Sequence, residues 1–270
     1  MSALPMMLLH LSSLASAAPD GTLSCGNLVA ALTEYRAHAP FAIPLPSASQ
    51  CKTLLAGKVL KMRIPNDVGG PVGALAMVVS PLSKEELWLG SADGEHSGEQ
   101  AELITHDLPL RPGQMFRWYG FVDLPRPLSD RHFLIHTTIN QAVEQATEGR
   151  VWSRHWRLED DGKATMAPIV ASGAVKGLDV EVFKEAVYLP LNYGAWLFVD
   201  LPDGRTLFAY HTAMSLGGDF PDGLVNRYTY FGLDRLTELV LAQAATARGH
   251  YRGTHALIMG GNGKPVPRYR

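Results

Sequence analysis

Apolar and polar residues alternate along much of the chain between positions 58 and 214. That is strand chemistry, because successive side chains of a strand point to opposite faces. The pattern predicts strands at 58–64, 73–80, 101–108, 114–123, 132–140, 150–158, 180–189, 195–201 and 206–214. Gly73 to Ser80 (GALAMVVS) has almost no polar side chain and reads as well buried. Asn66 to Pro71, Pro109 to Gly113, Asp160-Asp161-Gly162 and Pro202-Asp203-Gly204 supply turn chemistry, and the polar stretch Asp93 to Gln100 reads as a mobile loop. Consecutive strands joined by short turns imply a mostly antiparallel sheet.

The period changes near the carboxyl end. Pro221, with its fixed φ and missing amide hydrogen, suits the first turn of a helix that runs to a stop at Gly249. Such a helix has about 27 residues and is roughly 40 Å long. Val225, Thr229, Gly232, Leu236, Val240 and Ala244 recur at steps of three and four and share one face. Gly232 and Ala244 make that face small-sided. Two readings fit it: ordinary core packing, or a helix lying across a curved sheet with room beneath. Shorter helices are predicted at Asn27 to His38, near Gln50 to Ala56, and at Lys84 to Leu89, where Ser83 and Glu86 have capping-box spacing. Pro40, Pro44 and Pro46 make an extended linker between the first two. Strands with a few unequal helices make the fold class α+β. The organisation is an amino-terminal segment (1–49), a folded domain (50–249) and a basic carboxyl-terminal tail (250–270).

With 270 residues, 46% hydrophobic and 19% charged, the chain suits one soluble domain with a sizeable core. A net charge of −2 gives no field for nucleic acid, and no apolar run reaches 18 residues. Ala3 to Leu14 is mostly apolar and Ala15-Ser16-Ala17 resembles a signal-peptidase site, although no Lys or Arg precedes it and Pro5 and His10 interrupt it. The balance falls to export over a cytoplasmic location. Cys25 and Cys51 fit either compartment: a disulfide closing about 27 residues and adding roughly 3 kcal/mol, or two ordinary thiols.

Lys163 to Asp179 is long and yet carries Met166, Ile169, Val170 and Val175. It reads as a lid over the sheet or a membrane-touching surface, with an irregular strand edge as the alternative. After Glu238 no acidic residue appears, while Arg248, Arg252, Lys264, Arg268 and Arg270 follow, a basic tail that is either solvated or touches anionic headgroups.

Catalytic and metal motifs are sparse. His132 and His136 share a strand face but stand roughly 13 Å apart, too far for one zinc. Gly260-Gly261-Asn262-Gly263-Lys264 lacks the spacing and hydroxyl residue of a phosphate loop. No metal site and no cofactor are expected. His155, His211, Tyr188, Tyr193, Tyr210 and Arg131 are acid–base candidates wherever they meet in a pocket.

Pro127-Leu128-Ser129-Asp130-Arg131-His132-Phe133 resembles the Pro-x-Ser-Asp-Arg-Asp-Phe stretch of START domains, the steroidogenic-acute-regulatory-related lipid-transfer family. Leu216-Gly217-Gly218-Asp219-Phe220-Pro221-Asp222-Gly223-Leu224-Val225-Asn226 is similar to that family's Gly-Gly-x-(Ile/Leu)-Pro approach to its last helix. Ala76 to Leu89 resembles the strand–Pro–helix unit of the wider Bet v 1-like, or SRPBCC, superfamily. Ser215 and His132 depart from the family's acidic residues and leave the subfamily open.

The resemblance implies a helix-grip fold: a curved antiparallel sheet around a long carboxyl-terminal helix, with a hydrophobic tunnel between. Phe133, Ile135, Thr137 and Ile139 would then line the tunnel from one strand, and Tyr210, Thr212 and Met214 from the last strand. Val225, Thr229, Gly232, Leu236 and Val240 would close it from the helix. In sterol-binding relatives a charged side chain sits at the position matching Thr137. The function implied is binding and transfer of one hydrophobic ligand (a sterol, acyl lipid or similar) by a monomer in transient contact with a membrane surface, with no role for nucleic acid. Two alternatives stand beside it. One is an aromatase/cyclase-like or hydrolytic enzyme on the same scaffold, needing His155, His211 or Tyr210 to converge inside the tunnel. The other is a structural protein with a filled interior.

Overall fold

The computed structural model describes residues 22–41, 43–64, 73–93, 103–126, 128–218, 222–252, 257–266 and 269, with backbone alone for 222–226 and 228. The signal-like segment, the turn expected at 66–71, the loop at 94–100 and Pro221 lie outside the described residues. In chain order the elements are α1 (Cys25–Arg36), α2 (Ala48–Leu55), β1 (Leu60–Ile64), β2 (Gly73–Ser80), α3 (Lys84–Ala92), β3 (Leu103–Asp107), β4 (Gln114–Val122) and β5 (Arg131–Ile139). They continue with α4 (Gln141–Ala146), β6 (Val151–Leu158), α5 (Gly162–Ala171), α6 (Val180–Glu185), β7 (Val187–Tyr188), β8 (Leu191–Asp200), β9 (Thr206–Ser215) and α7 (Asp222–His250).

The strands form one open, curved sheet in the order β1-β2-β9-β8-β6-β5-β4-β3, every pair antiparallel. The short β7 is the exception and runs parallel to the start of β5, Arg131 opposite Val187. This is the α+β architecture with a long last helix gripped by a sheet. The helix has 29 residues, close to the length its period implies.

Each sheet face has its own cover. On the inner face, α7 packs along β1, β2 and β9 and against α3. Leu233 meets Ala74 and Ala76 there, and Val240, Ala244 and Ala247 join Val78, Phe198 and Phe208. On the outer face, α1 and α2 press Leu28, Leu32, Tyr35 and Leu54 onto Leu75, Met77, Leu197 and Val199. The Cys25–Cys51 disulfide joins these two helices, Cα–Cα 5.3 Å. Their starts are fixed by capping boxes, Ser24 with Asn27 and Ser47 with Gln50, and the box expected at Ser83 and Glu86 forms on α3.

Three expectations are corrected. The segment 163–179 is no lid: most of it is α5, and Met166, Val170 and Val175 are buried against Tyr119, Phe121 and Leu134 on the outer face, with Ile169 packed beside them. Its apolar residues recur at helical steps, and the face away from α7 is where they find core. The strand expected at 180–189 is mostly α6, because the Asp179 carboxylate accepts from the amides of Glu181 and Val182 and starts a helical turn. The chain after α7 is no free solvated tail where it is described. Tyr251 and Val266 are buried, and the Trp88 indole donates to the Met259 carbonyl at 2.8 Å.

Candidate functional site

The inner face between β4 and β9 is built from large rings laid over glycines. Phe133 stands directly across from Gly120, and Trp156 across from Gly194. A Cβ on Gly120 would come within 2.4 Å of the Phe133 ring, and one on Gly194 within 2.2 Å of Trp156. The missing side chains let both rings lie flat on the sheet instead of standing off it. Neighbouring rings continue the surface: Trp118 against Phe133 at 5.2 Å, Trp156 stacked on Tyr210 at 5.5 Å, and Trp196 tilted on Tyr210 at 4.4 Å. The Trp156 indole donates to Asn192 at 3.0 Å, so its polar edge is satisfied.

Several of these side chains remain partly accessible although they face the side that α7 covers. Phe116, Trp118, Ile139, Trp196, Tyr210 and Met214 are half-buried, as are Thr229 and Leu236 on the helix. Burial nevertheless pushes the Tyr210 phenol up to about 12.

The expected strand residues all fall on this face. Phe133, Ile135, Thr137 and Thr212 are buried, while Ile139, Tyr210 and Met214 are half-buried. From the helix, Leu236 and Val240 face inward, and Thr229 is half-buried. The Val225 side chain lies outside the described residues. Gly232 is corrected: it is exposed, with no heavy atom within 4 Å of where a Cβ would stand, and Leu233 meets the sheet instead. Ala244 is small for another reason than room for cargo. A Cβ on Gly90 would lie 2.6 Å from the Ala244 amide nitrogen, so the pair permits close crossing of α3 and α7.

Sequence reasoning missed Phe116, Trp118, Arg154, Trp156 and Trp196. Their signal was present in the alternation of β4, β6 and β8, where Phe116-x-Trp118-x-Gly120 and Trp152-x-Arg154-x-Trp156 keep one parity.

The acid–base candidates do not converge. His155 and His211 lie on the outer face, grouped with Phe41 at ring distances of 6.2 and 5.8 Å, while Tyr210 is on the inner face. Burial pushes His155, His211 and His132 each down to about 4, so all three are neutral near pH 7. Tyr188 donates to the Glu159 carbonyl at 2.6 Å on the outer face. Tyr193 lies tilted against Phe41 at 4.6 Å, also outside.

A polar cleft of about 590 Å³ opens on that side, lined by Arg111, His136, Arg157, Glu159 and Tyr193 among others. Its carboxylate Glu159 is paired from behind: Arg117 donates from Nε and Nη2 to both Glu159 oxygens at 2.7 and 2.8 Å. That hydrogen bonding holds the Glu159 carboxyl below its usual range. Among the described residues no group of three or more His, Cys, Asp or Glu is placed to hold a metal ion. No helix among them is long and apolar enough to cross a membrane.

The two sequence motifs meet through one side chain. Arg131 on β5 donates to the carbonyls of Leu216 at 2.6 Å and Gly217 at 3.1 Å, and also to that of Ser129. The guanidinium therefore ties β5 to the turn that launches α7. Gly217 and Gly218 both have φ of 65°, the left-handed region that favours glycine, which aims those carbonyls.

The backbone of the sheet and the gripped helix superposes on one group of solved structures. The chain has a START-like fold. Human STARD10 superposes with a TM-score of 0.52 at 11% identity, over 78% of this chain and 85% of that one. Human StAR-related lipid transfer protein 5 superposes at 0.50, again with 11% identity, over 70% and 82%. A STAR-related lipid transfer protein fragment from Xanthomonas axonopodis has 15% identity over 69% and 93%, with a TM-score of 0.47. No family model matches the sequence. No curated protein matches it either. The START-like likeness is therefore one of backbone architecture.

Proposed function

We propose that this chain is a monomeric carrier that holds one hydrophobic ligand, a sterol, acyl lipid or similar molecule, between the inner face of the sheet and α7. One observation carries the reading: the rings and aliphatic side chains from Phe116 to Met214 on the inner face keep accessible surface at a place where a filled core would seal them. Burying an alkyl chain there yields about 0.8 kcal/mol per methylene, enough to hold a lipid without any catalytic group. One solved structure of the same fold, human StAR-related lipid transfer protein 5, is named for lipid transfer, which agrees in kind. The enzymatic alternative loses its best candidates, because His155 and His211 face away from this surface.

Exchange takes place at a membrane surface in this reading. Phe231, Leu257 and Met259 are exposed apolar side chains, and Arg252 and Lys264 lie in the same carboxyl-terminal region. The α1–α2 disulfide supports an oxidising compartment for the carrier. Native mass spectrometry of freshly purified protein is expected to show a co-purified apolar molecule, recoverable by organic extraction. Protein that stays ligand-free after incubation with liposomes of mixed sterol and phospholipid would overturn the proposal.

A further inference from the structure

Arg154 on β6 is 2% exposed and points into the inner face. Its guanidinium lies over three rings, Trp88 at 4.8 Å, Trp196 at 5.1 Å and Phe198 at 5.8 Å. Nη2 donates to the Ser91 carbonyl at 2.6 Å and to the Ser91 hydroxyl at 2.9 Å. Nη1 is buried and has no hydrogen-bond partner. Among the described residues no carboxylate pairs with this arginine, and burial alone pushes it down to about 9, so it remains a cation at neutral pH.

The contrast with Arg117 is direct. That buried arginine is matched fork to fork by Glu159, as an interior guanidinium ordinarily requires. An unpaired buried charge is costly to desolvate, and the aromatic faces around Arg154 offset only part of that cost. The fold thus carries a cation whose partner is not supplied by the described chain. Its neighbours are those of the carrier surface: Ile139 stands directly across from it on β5 and Trp196 on β8. Phe116, Tyr210 and Leu236 belong to the same apolar cluster.

We propose that Arg154 is the head-group receptor of the carrier site and that the cargo is an amphiphile with a single carboxylate, of the long-chain fatty acid type. This rests on the carrier reading and narrows it. A planar guanidinium with a free N–H edge fits a carboxylate, and one negative charge neutralises one positive charge. The alkyl chain then runs over the half-buried surface of Trp196, Ile139 and Tyr210. Because Nη1 has no accessible surface, the head group seats when a ring neighbour rotates, and half-buried Trp196 is placed to do so.

The test uses the full chain, stripped of lipid, titrated with oleate, oleyl alcohol and oleyl phosphate. Oleate is expected to bind at least about tenfold more tightly than the alcohol, the scale of one charge-assisted pair. Arg154→Met should erase that preference while leaving oleyl alcohol binding intact. Carbon-13 NMR of carboxyl-labelled oleate should show the bound acid titrating below the free acid in the wild type. If the variant does not fold, the wild-type affinities and the NMR titration decide alone. Equal affinity for oleate and oleyl alcohol, or tighter binding of the phosphate, overturns the proposal and leaves the carrier reading standing. Binding of none of the three, together with no uptake from liposomes, overturns both.

Discussion

The two faces of the sheet are built from the same strands and behave as different materials. On the outer face Leu75, Met77, Val199 and Leu207 are all fully sealed beneath α1 and α2. Three residues away on β8 and β9, Trp196 and Tyr210 face inward and are only half-buried, although Phe198 and Phe208 on the same face are sealed. The outer face is dense aliphatic core with buried neutral histidines, closed by a disulfide. The inner face is a floor of rings held flat by glycines, with an unpaired cation set into it. Sealed aliphatic core lies on one side of this sheet, and half-buried rings on the other.

Acid gives the largest expected effect, and it strikes the outer face. His132 and His211 fold as neutral rings with values pushed to about 4, against an ordinary value near 6.5. Their stabilisation is fully present above about pH 6.5 and is lost as pH falls toward 4, because the unfolded chain takes up protons first. Each contributes on the order of 2–3 kcal/mol across that window. Thermal melts between pH 7.5 and 4 should show Tm dropping steeply below about 6.5; a flat profile would break the contrast.

Truncation separates the faces next. Leu75→Ala should cost about 2–5 kcal/mol in urea unfolding, as for a sealed aliphatic side chain. Met214→Ala should cost well under half of that and show its effect in lipid affinity instead. Comparable losses from both would mean that the inner face is ordinary core. Opening the Cys25–Cys51 bridge, whose cysteines are 26 residues apart, should remove about 3 kcal/mol and leave ligand affinity unchanged, because the strap lies outside. Gly120→Ala is the smallest change, at about 1–3 kcal/mol of overpacking. The added methyl should lift the Phe133 ring and weaken ligand uptake more than stability, as seen by comparing melts with binding isotherms.

How much of this was legible in the sequence differs by level. Strand positions, the long last helix and the parity of β5 follow from local periodicity, because burial on one face leaves its mark on alternate residues. The two START-like motifs could be recognised, but not that Arg131 would bond the carbonyls of Leu216 and Gly217, since those partners are some 85 residues apart. The apolar stretch at 163–179 carried the right composition and the wrong expectation. Hydrophobicity says that Met166 and Val170 will be buried, and cannot say on which side of a sheet. Small residues were ambiguous in the same way. Ala244 serves a helix crossing and Gly194 a tryptophan ring, and sequence alone shows both merely as absent bulk.

By itself the sequence determined most of the strands, the long last helix and which residues of those strands share a face, since these depend on near neighbours along the chain. The tertiary structure decided which face meets α7, where the histidines are sealed, and that Arg154 is enclosed by three rings without a carboxylate. Those outcomes depend on contacts between distant segments, and the energy of a buried charge is set by everything packed around it.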